Sequence, residues 1–180
     1  MADLLPIAQL GNPVLRHQAQ PIAQVDASEI QQLIDSLIAT LLKSQGVGIA
    51  APQVSQSCRL LVVASHPNDR YPHAPHIEPM AMLNPRIIEQ SSEVVKDWEG
   101  CLSIPGIRGF VPRYQSILVE YTDRTGKLQQ QELQGFVARI FQHEYDHLEG
   151  KVFLDRVEST QEIVTDQEYR QRILPHLLAS

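Results

Sequence analysis

Residues 142–147 read Gln-His-Glu-Tyr-Asp-His, and the spacing of the two histidines limits what the rest of the chain can be. Four residues apart on a helix, His143 and His147 lie one above the other, where both imidazoles can reach a single metal ion. Glu144, one step round, is placed to act on a water rather than on the ion. At about 100° per residue, His143, Glu144 and His147 share an arc with Leu133, Phe136, Val137, Ile140, Phe141 and Leu148. Arg139, Gln142 and Asp146 fall on the opposite face, with Tyr145 at the boundary. The polar triplet therefore sits in the middle of the buried face, which is costly unless a partner satisfies it. A metal ion would do so; two core histidines that merely fall four apart are the plain alternative.

Composition narrows the setting for such a site. A chain of 180 residues is most simply one domain, read here as a single catalytic unit over 1–180, and it can bury a real core. Its 43% hydrophobic and 20% charged content is ordinary for a globular protein, and no apolar run is long enough to span a bilayer. A formal net charge of −6 argues against broad nucleic-acid binding. Cys58 and Cys101 are too few for a disulfide framework, and with no signal pattern at the N-terminus a reducing cytoplasm is the expected compartment.

In chain order, residues 1–25 are extended and broken by prolines. Asp26 and Glu29 have capping-box spacing, and Ile30, Leu33, Ile34, Leu37, Ile38, Leu41 and Leu42 keep a helical period up to a stop at Gly46. Gly46-Val47-Gly48-Ile49-Ala50-Ala51-Pro52-Gln53 follows, its small residues permitting close approach of a ligand or of another segment. Gln53, at the end of that stretch, has an amide able to donate to a developing oxyanion. Arg59–Ala64 reads as a strand and 65–80, with His66, His73 and His76 among prolines, as an exposed loop. Strands are expected over 82–88, 92–96, 117–121 and 127–133, the last pair joined by a turn at Asp123-Arg124-Thr125-Gly126. A short strand at 151–154 and a polar tail or surface helix over about 159–180, interrupted at Pro175, complete the reading.

A third ligand must come from elsewhere. Cys101 lies in Glu99-Gly100-Cys101-Leu102-Ser103-Ile104-Pro105-Gly106, where the glycine and the Pro-Gly pair suit a loop at a strand end. A thiolate with two imidazoles leaves a fourth position open for water, as catalysis requires. An ordinary packed thiol is the alternative, and at this point both stand.

Taken together, Gly46–Gln53, Glu99–Ser103 and Gln142–His147 resemble, in order and spacing, the three motifs of peptide deformylases. The resemblance runs over nearly the whole chain, including Gly11-Asn12-Pro13-Val14-Leu15-Arg16. It implies an α+β fold, with small antiparallel β-sheets around a central helix carrying the metal motif, an N-terminal helix and a C-terminal surface helix. It implies removal of the formyl group from N-formylmethionine on nascent peptides, with the ribosome near its exit tunnel as a partner. Carried over position by position, Cys101, His143 and His147 bind the metal and Glu144 is the general acid/base. Gln53 and the Leu102 N–H stabilise the oxyanion, while Val47 and Gly48 offer main-chain groups to the substrate. Arg108 resembles the family's substrate-contacting arginine. The ion implied is Fe2+, although Zn2+, Ni2+ or Co2+ would also suit the donors. Phe136 and Ile140, on the same helix face, are candidates for the pocket of the methionine side chain. The 65–80 loop and Trp98, which stands where a polar or acidic residue is more usual, alter the rim of the cleft.

Two other classes stay open on the sequence. A zinc endopeptidase shares the helix motif but usually takes its third ligand from a later His or Glu. A metal-binding or redox-sensing module built on Cys101 would need a fourth protein ligand, and none is evident. An inactive relative would normally lose a ligand or Glu144; this chain keeps them.

Overall fold

The structure, a computed structural model, describes residues 2–67 and 74–179. Its elements are helix α1 (Ser28–Lys43), strands β1 (Gly48–Ala50), β2 (Leu60–Ser65), β3 (Ile77–Gln90), β4 (Val94–Cys101), β5 (Ile104–Tyr114), β6 (Ser116–Thr122) and β7 (Leu128–Gln134), helix α2 (Gly135–Leu148) and strand β8 (Ile163–Thr165). An antiparallel sheet runs in the order β1-β2-β3-β6-β7, and a second in the order β4-β5-β8. This is the expected α+β arrangement, with α2 packed against strands of both sheets.

Strand β2 shows why its sequence is apolar without alternation. Leu61 and Val63 pack in one cluster with Val137, Ile140 and Phe141 of α2. Leu60, Val62 and Ala64 point the other way, into a cluster with Ile34, Leu37 and Leu41 of α1. A period of two sends successive side chains to opposite faces, and a helix covers each face, so every residue is buried.

Several local expectations are corrected. Helix α1 begins at Ser28 behind Ala27, which makes no side-chain capping bond, so the Asp26–Glu29 box does not form. Gln45, at φ 52°, takes the left-handed conformation after the helix. Gly46 follows in close quarters: a β-carbon there would stand 2.8 Å from Leu41 Cδ1, which would have to shift. Leu133 lies in β7, as the strand expected over 127–133 has it, and reaches the core cluster of α2 from the sheet and not from the helix arc. The reversal from β4 to β5 is made at Leu102-Ser103, and Pro105-Gly106 lies inside β5 beside an irregularity in register. Residues 151–154 form no strand; Phe153–Arg156 is a 3-10 turn closed by the Val152 N–H donating to Asp155 Oδ2 at 2.9 Å.

The tail is less peripheral than its polarity suggests. Ile163, Val164 and Thr165 pair with Gly109, Arg108 and Ile107 of β5. Asp166–Glu168, Tyr169–Ile173 and Leu174–Ala179 then continue helically, with Pro175 accommodated near the start of the last stretch. Of the histidine-containing loop, residues 68–73 lie outside the described residues, and strand β3 already begins at Ile77.

Candidate metal centre

The two histidines of α2 project from the buried side of the helix, His143 8% and His147 0% exposed. Cys101 is the last residue of β4, so its side chain leaves the sheet where the strand turns. One donor atom from each of Cys101, His143 and His147 lies within 4.8 Å of the others, and Cys101 Sγ is 3.3 Å from His147 Nε2. Burial alone would raise the Cys101 thiol, but the positive charge of His147 and bonds to both imidazoles hold it well below the usual thiol range. Glu144 is buried beside them, and desolvation, opposed by the imidazole charges, pushes its carboxyl up to about 7.

Two buried atoms at this point find no hydrogen-bond partner, Glu144 Oε2 and His147 Nδ1. A bare carboxylate oxygen beside a thiolate and two imidazoles is what a divalent ion with an activated water would satisfy. The donor set fits such an ion.

Glu99 supports the ligands from behind. It is two residues before Cys101 in β4, so both project to the same side of the strand. The His143 Nδ1–H donates to Glu99 Oε2 at 2.9 Å, which leaves Nε2 as the ring nitrogen available to a metal. Arg113 grips the same carboxylate at 2.9 and 3.0 Å, and Arg139 donates to it at 3.0 Å. Burial would raise Glu99, but the charge of Arg113 and the bonds from His143 and Arg113 keep it ionised, well below the usual carboxylate range. Arg113 also donates to Asp146 at 2.6 Å, and Arg156 pairs with Asp146 from the outer side.

This network revises the helix reading. Arg139, Gln142 and Asp146 are 7%, 6% and 2% exposed rather than solvated. Gln142 bridges Tyr114, accepting from its N–H at 3.0 Å and donating to its carbonyl at 2.9 Å. Helix α2 is thus buried all round, and its far face is polar because strand residues meet it with opposite charges and backbone groups. Glu99, Arg113 and Asp146 were not singled out from the sequence; the two-residue spacing of Glu99 from Cys101 was the available signal.

The remaining candidates gather around a cleft lined by residues that include Val47, Gly48, Gln53, Leu102, Phe136 and Ile140. Gln53 Oε1 accepts from the Ala50 N–H at 2.8 Å, which fixes the amide so that Nε2 points at Cys101 Sγ (3.5 Å) and Ser103 Oγ (3.3 Å). The Val47 carbonyl is already taken by the Ala64 N–H at 2.8 Å, so on this edge strand it is Gly48 whose backbone groups turn away from β2. Arg108 is not brought into the cleft. It is 1% exposed, its Nε donates to Asp166 at 2.8 Å, and its guanidinium lies 4.3 Å from the Tyr169 ring.

A family model described as polypeptide deformylase matches residues 4–162. The chain belongs to that family. Peptide deformylase 2 of Nostoc sp. is 61% identical over 171 residues, covering 95% of this chain and 96% of that protein. Peptide deformylase 2 of Shewanella oneidensis is 44% identical over 164 residues, covering 91% and 90% respectively. Among solved structures, the Met-Ala-Ser-bound class I type b peptide deformylase of Acinetobacter baumannii is similar with a TM-score of 0.85 and 45% identity, over 87% of this chain and 100% of that one. The peptide deformylase of Thermotoga maritima gives 0.78 and 36%, over 87% and 99%. The family's reaction, metal-dependent hydrolytic removal of the N-formyl group from nascent peptides, is therefore this chain's reaction.

Proposed function

We propose that Cys101 Sγ and the Nε2 atoms of His143 and His147 hold one divalent ion, iron(II) in the cell, and that residues 1–180 act as one catalytic domain. The thiolate and imidazole donors would accept zinc, nickel or cobalt as well. When bound, the ion would supply Lewis-acid chemistry, lowering the pKa of a water at the site. Glu144 takes a proton from that water and delivers it to the departing amine nitrogen. Gln53 Nε2 and the Leu102 N–H donate to the oxygen that gains charge as the formyl carbon becomes tetrahedral, where a single donor is worth about 3 kcal/mol. The observation that carries this reading is the convergence of three ligand atoms beside the buried, unpartnered Glu144 Oε2.

Strands β1 and β4 are the outer strands of their sheets, and residues of both line the cleft. An extended peptide placed between them gains main-chain hydrogen bonds, with Gly48 as the nearest donor and acceptor. Phe136 and Ile140 line the same cleft from α2 and suit the unbranched methionine side chain. The relative solved with Met-Ala-Ser supports a peptide longer than the formylated residue itself. Among the described residues no helix is long and apolar enough to cross a membrane. Formylated chains emerge at the ribosomal exit tunnel, and we place the encounter there, in the cytoplasm.

The test is formate release from formyl-Met-Ala-Ser by anaerobically prepared protein, paired with metal analysis. Formate release with about one iron per chain is the expected result. Cleavage of an internal bond in an unformylated peptide, without formate, would assign the centre to an endopeptidase.

A further inference from the structure

The segment that follows residue 162, beyond the stretch matched by the family model, adds β8 to the smaller sheet and sets Tyr169 against one face of it. Lys96, Trp98 and Gly100 lie on that face of β4, and the register sets Trp98 opposite Phe110 and Gly100 opposite Arg108. The Trp98 ring is 5.2 Å from that of Phe110 and 5.8 Å from that of Tyr169. Tyr169 is only 5% exposed, seated by the Arg108 guanidinium over its ring and by the Arg108–Asp166 ion pair. Trp98 itself is half-buried and lines the cleft. Two aromatic rings thus pack against an indole that also lines the cleft, which limits the orientations it can take.

We infer that Trp98 is a specificity-determining wall for an apolar or aromatic side chain downstream of the formylated methionine, and that Tyr169 is the residue that positions it. The inference rests on the reading of the cleft as the site of an extended formylated peptide. Trp98 precedes Cys101 by three residues, about 10 Å along a strand. A peptide with its formyl carbon at the metal reaches that level with its second or third residue. Those side chains meet a flat, fixed, apolar surface, which favours a large hydrophobe over a small polar group. The C-terminal segment thereby becomes part of substrate selection without touching substrate.

Steady-state kinetics of the full-length, metal-loaded protein on formyl-Met-Leu-Phe and formyl-Met-Ala-Ser test this. Trp98→Ala is expected to raise KM for formyl-Met-Leu-Phe about tenfold with little change in kcat, and to raise KM for formyl-Met-Ala-Ser less than about threefold. Trp98→Phe should keep most of the discrimination. Tyr169→Ala should reduce discrimination in the same direction, and Tyr169→Phe should restore it. Trp98 is the sole tryptophan, so its fluorescence reports directly on the second claim. Tyr169→Ala should red-shift the emission and raise its quenching by acrylamide, and the product Met-Leu-Phe should perturb the wild-type emission. Equal losses on the two peptides, a loss confined to kcat, or an unchanged emission in Tyr169→Ala overturns the inference while leaving deformylation intact. Failure of the wild-type protein to release formate from either peptide overturns both readings.

Discussion

Gly48 lies so close against Glu144 that a β-carbon built on it would stand 2.5 Å from Glu144 Oε1 and 2.8 Å from Glu144 Cγ, with Ile140 Cγ2 also at 2.8 Å. Edge strand β1 and helix α2 therefore meet at a residue with no side chain. Glu144 is held in place by contact as well as by burial. The same glycine lines the cleft, where the missing side chain permits close approach of another backbone.

Gly48→Ala should consequently act through Glu144. We expect kcat to fall about a hundredfold, the scale that a misplacement of about 1 Å commands, and to fall equally for formyl-Met and formyl-Met-Ala-Ser. Wild-type enzyme should nonetheless prefer the tripeptide, which adds main-chain contacts along β1. Parallel kinetics on the two substrates check this. A loss seen only with the tripeptide would locate the crowding at the peptide instead.

Glu144→Gln keeps the shape of the side chain and removes its ability to take a proton. Activity should drop by about three powers of ten while metal content stays near one per chain, since proton transfer is lost and ligation is not. Metal analysis of the purified variant, beside its kcat, separates the two roles. Loss of the ion would make Glu144 a ligand.

Glu99→Gln tests the support behind His143. The amide can still accept a hydrogen bond at Oε1, but it no longer carries the charge that fixes the imidazole and balances Arg113. Metal affinity, measured by chelator competition, should weaken about 10- to 100-fold. The circular dichroism spectrum should remain that of the wild type.

Asp146 gives a pH dependence with a definite sign. Burial would raise its carboxyl, but the bonds and charges of Arg156 and Arg113 outweigh burial and hold it below its ordinary value. The folded chain thus binds this proton more weakly than the unfolded chain. The stabilisation is fully present above the unfolded carboxyl value of about 4 and is lost as pH falls through the lower folded value. Asp146→Asn should cost about 3 kcal/mol at pH 7, because two arginines lose their neutralising partner. Urea unfolding across pH should show that gap narrowing below pH ~4, where wild-type Asp146 is itself protonated on unfolding.

The division between what was legible in the chain and what was not follows from the range of each interaction. The shared buried side of His143, Glu144 and His147 was legible because four-residue spacing on a helix is local geometry, and the same holds for the core stripe of α1 and the apolar run of β2. The short motifs around Gln53 and Cys101 could be recognised together, but neither says by itself that it meets His143. That meeting was decided by the fold, in which β4 ends where α2 is buried, 42 residues apart in sequence for Cys101 and His143. Periodicity puts Arg139, Gln142 and Asp146 on the face opposite the metal motif and says nothing of what covers that face. Their partners outside the helix are Glu99, Arg113, Tyr114, Arg156 and backbone carbonyls of β4 and β5, which no pattern within the helix contains. The tail looked peripheral for the same reason. Tyr169 is buried only because β8 joins β5 and brings it to Trp98, a long-range pairing that composition does not encode.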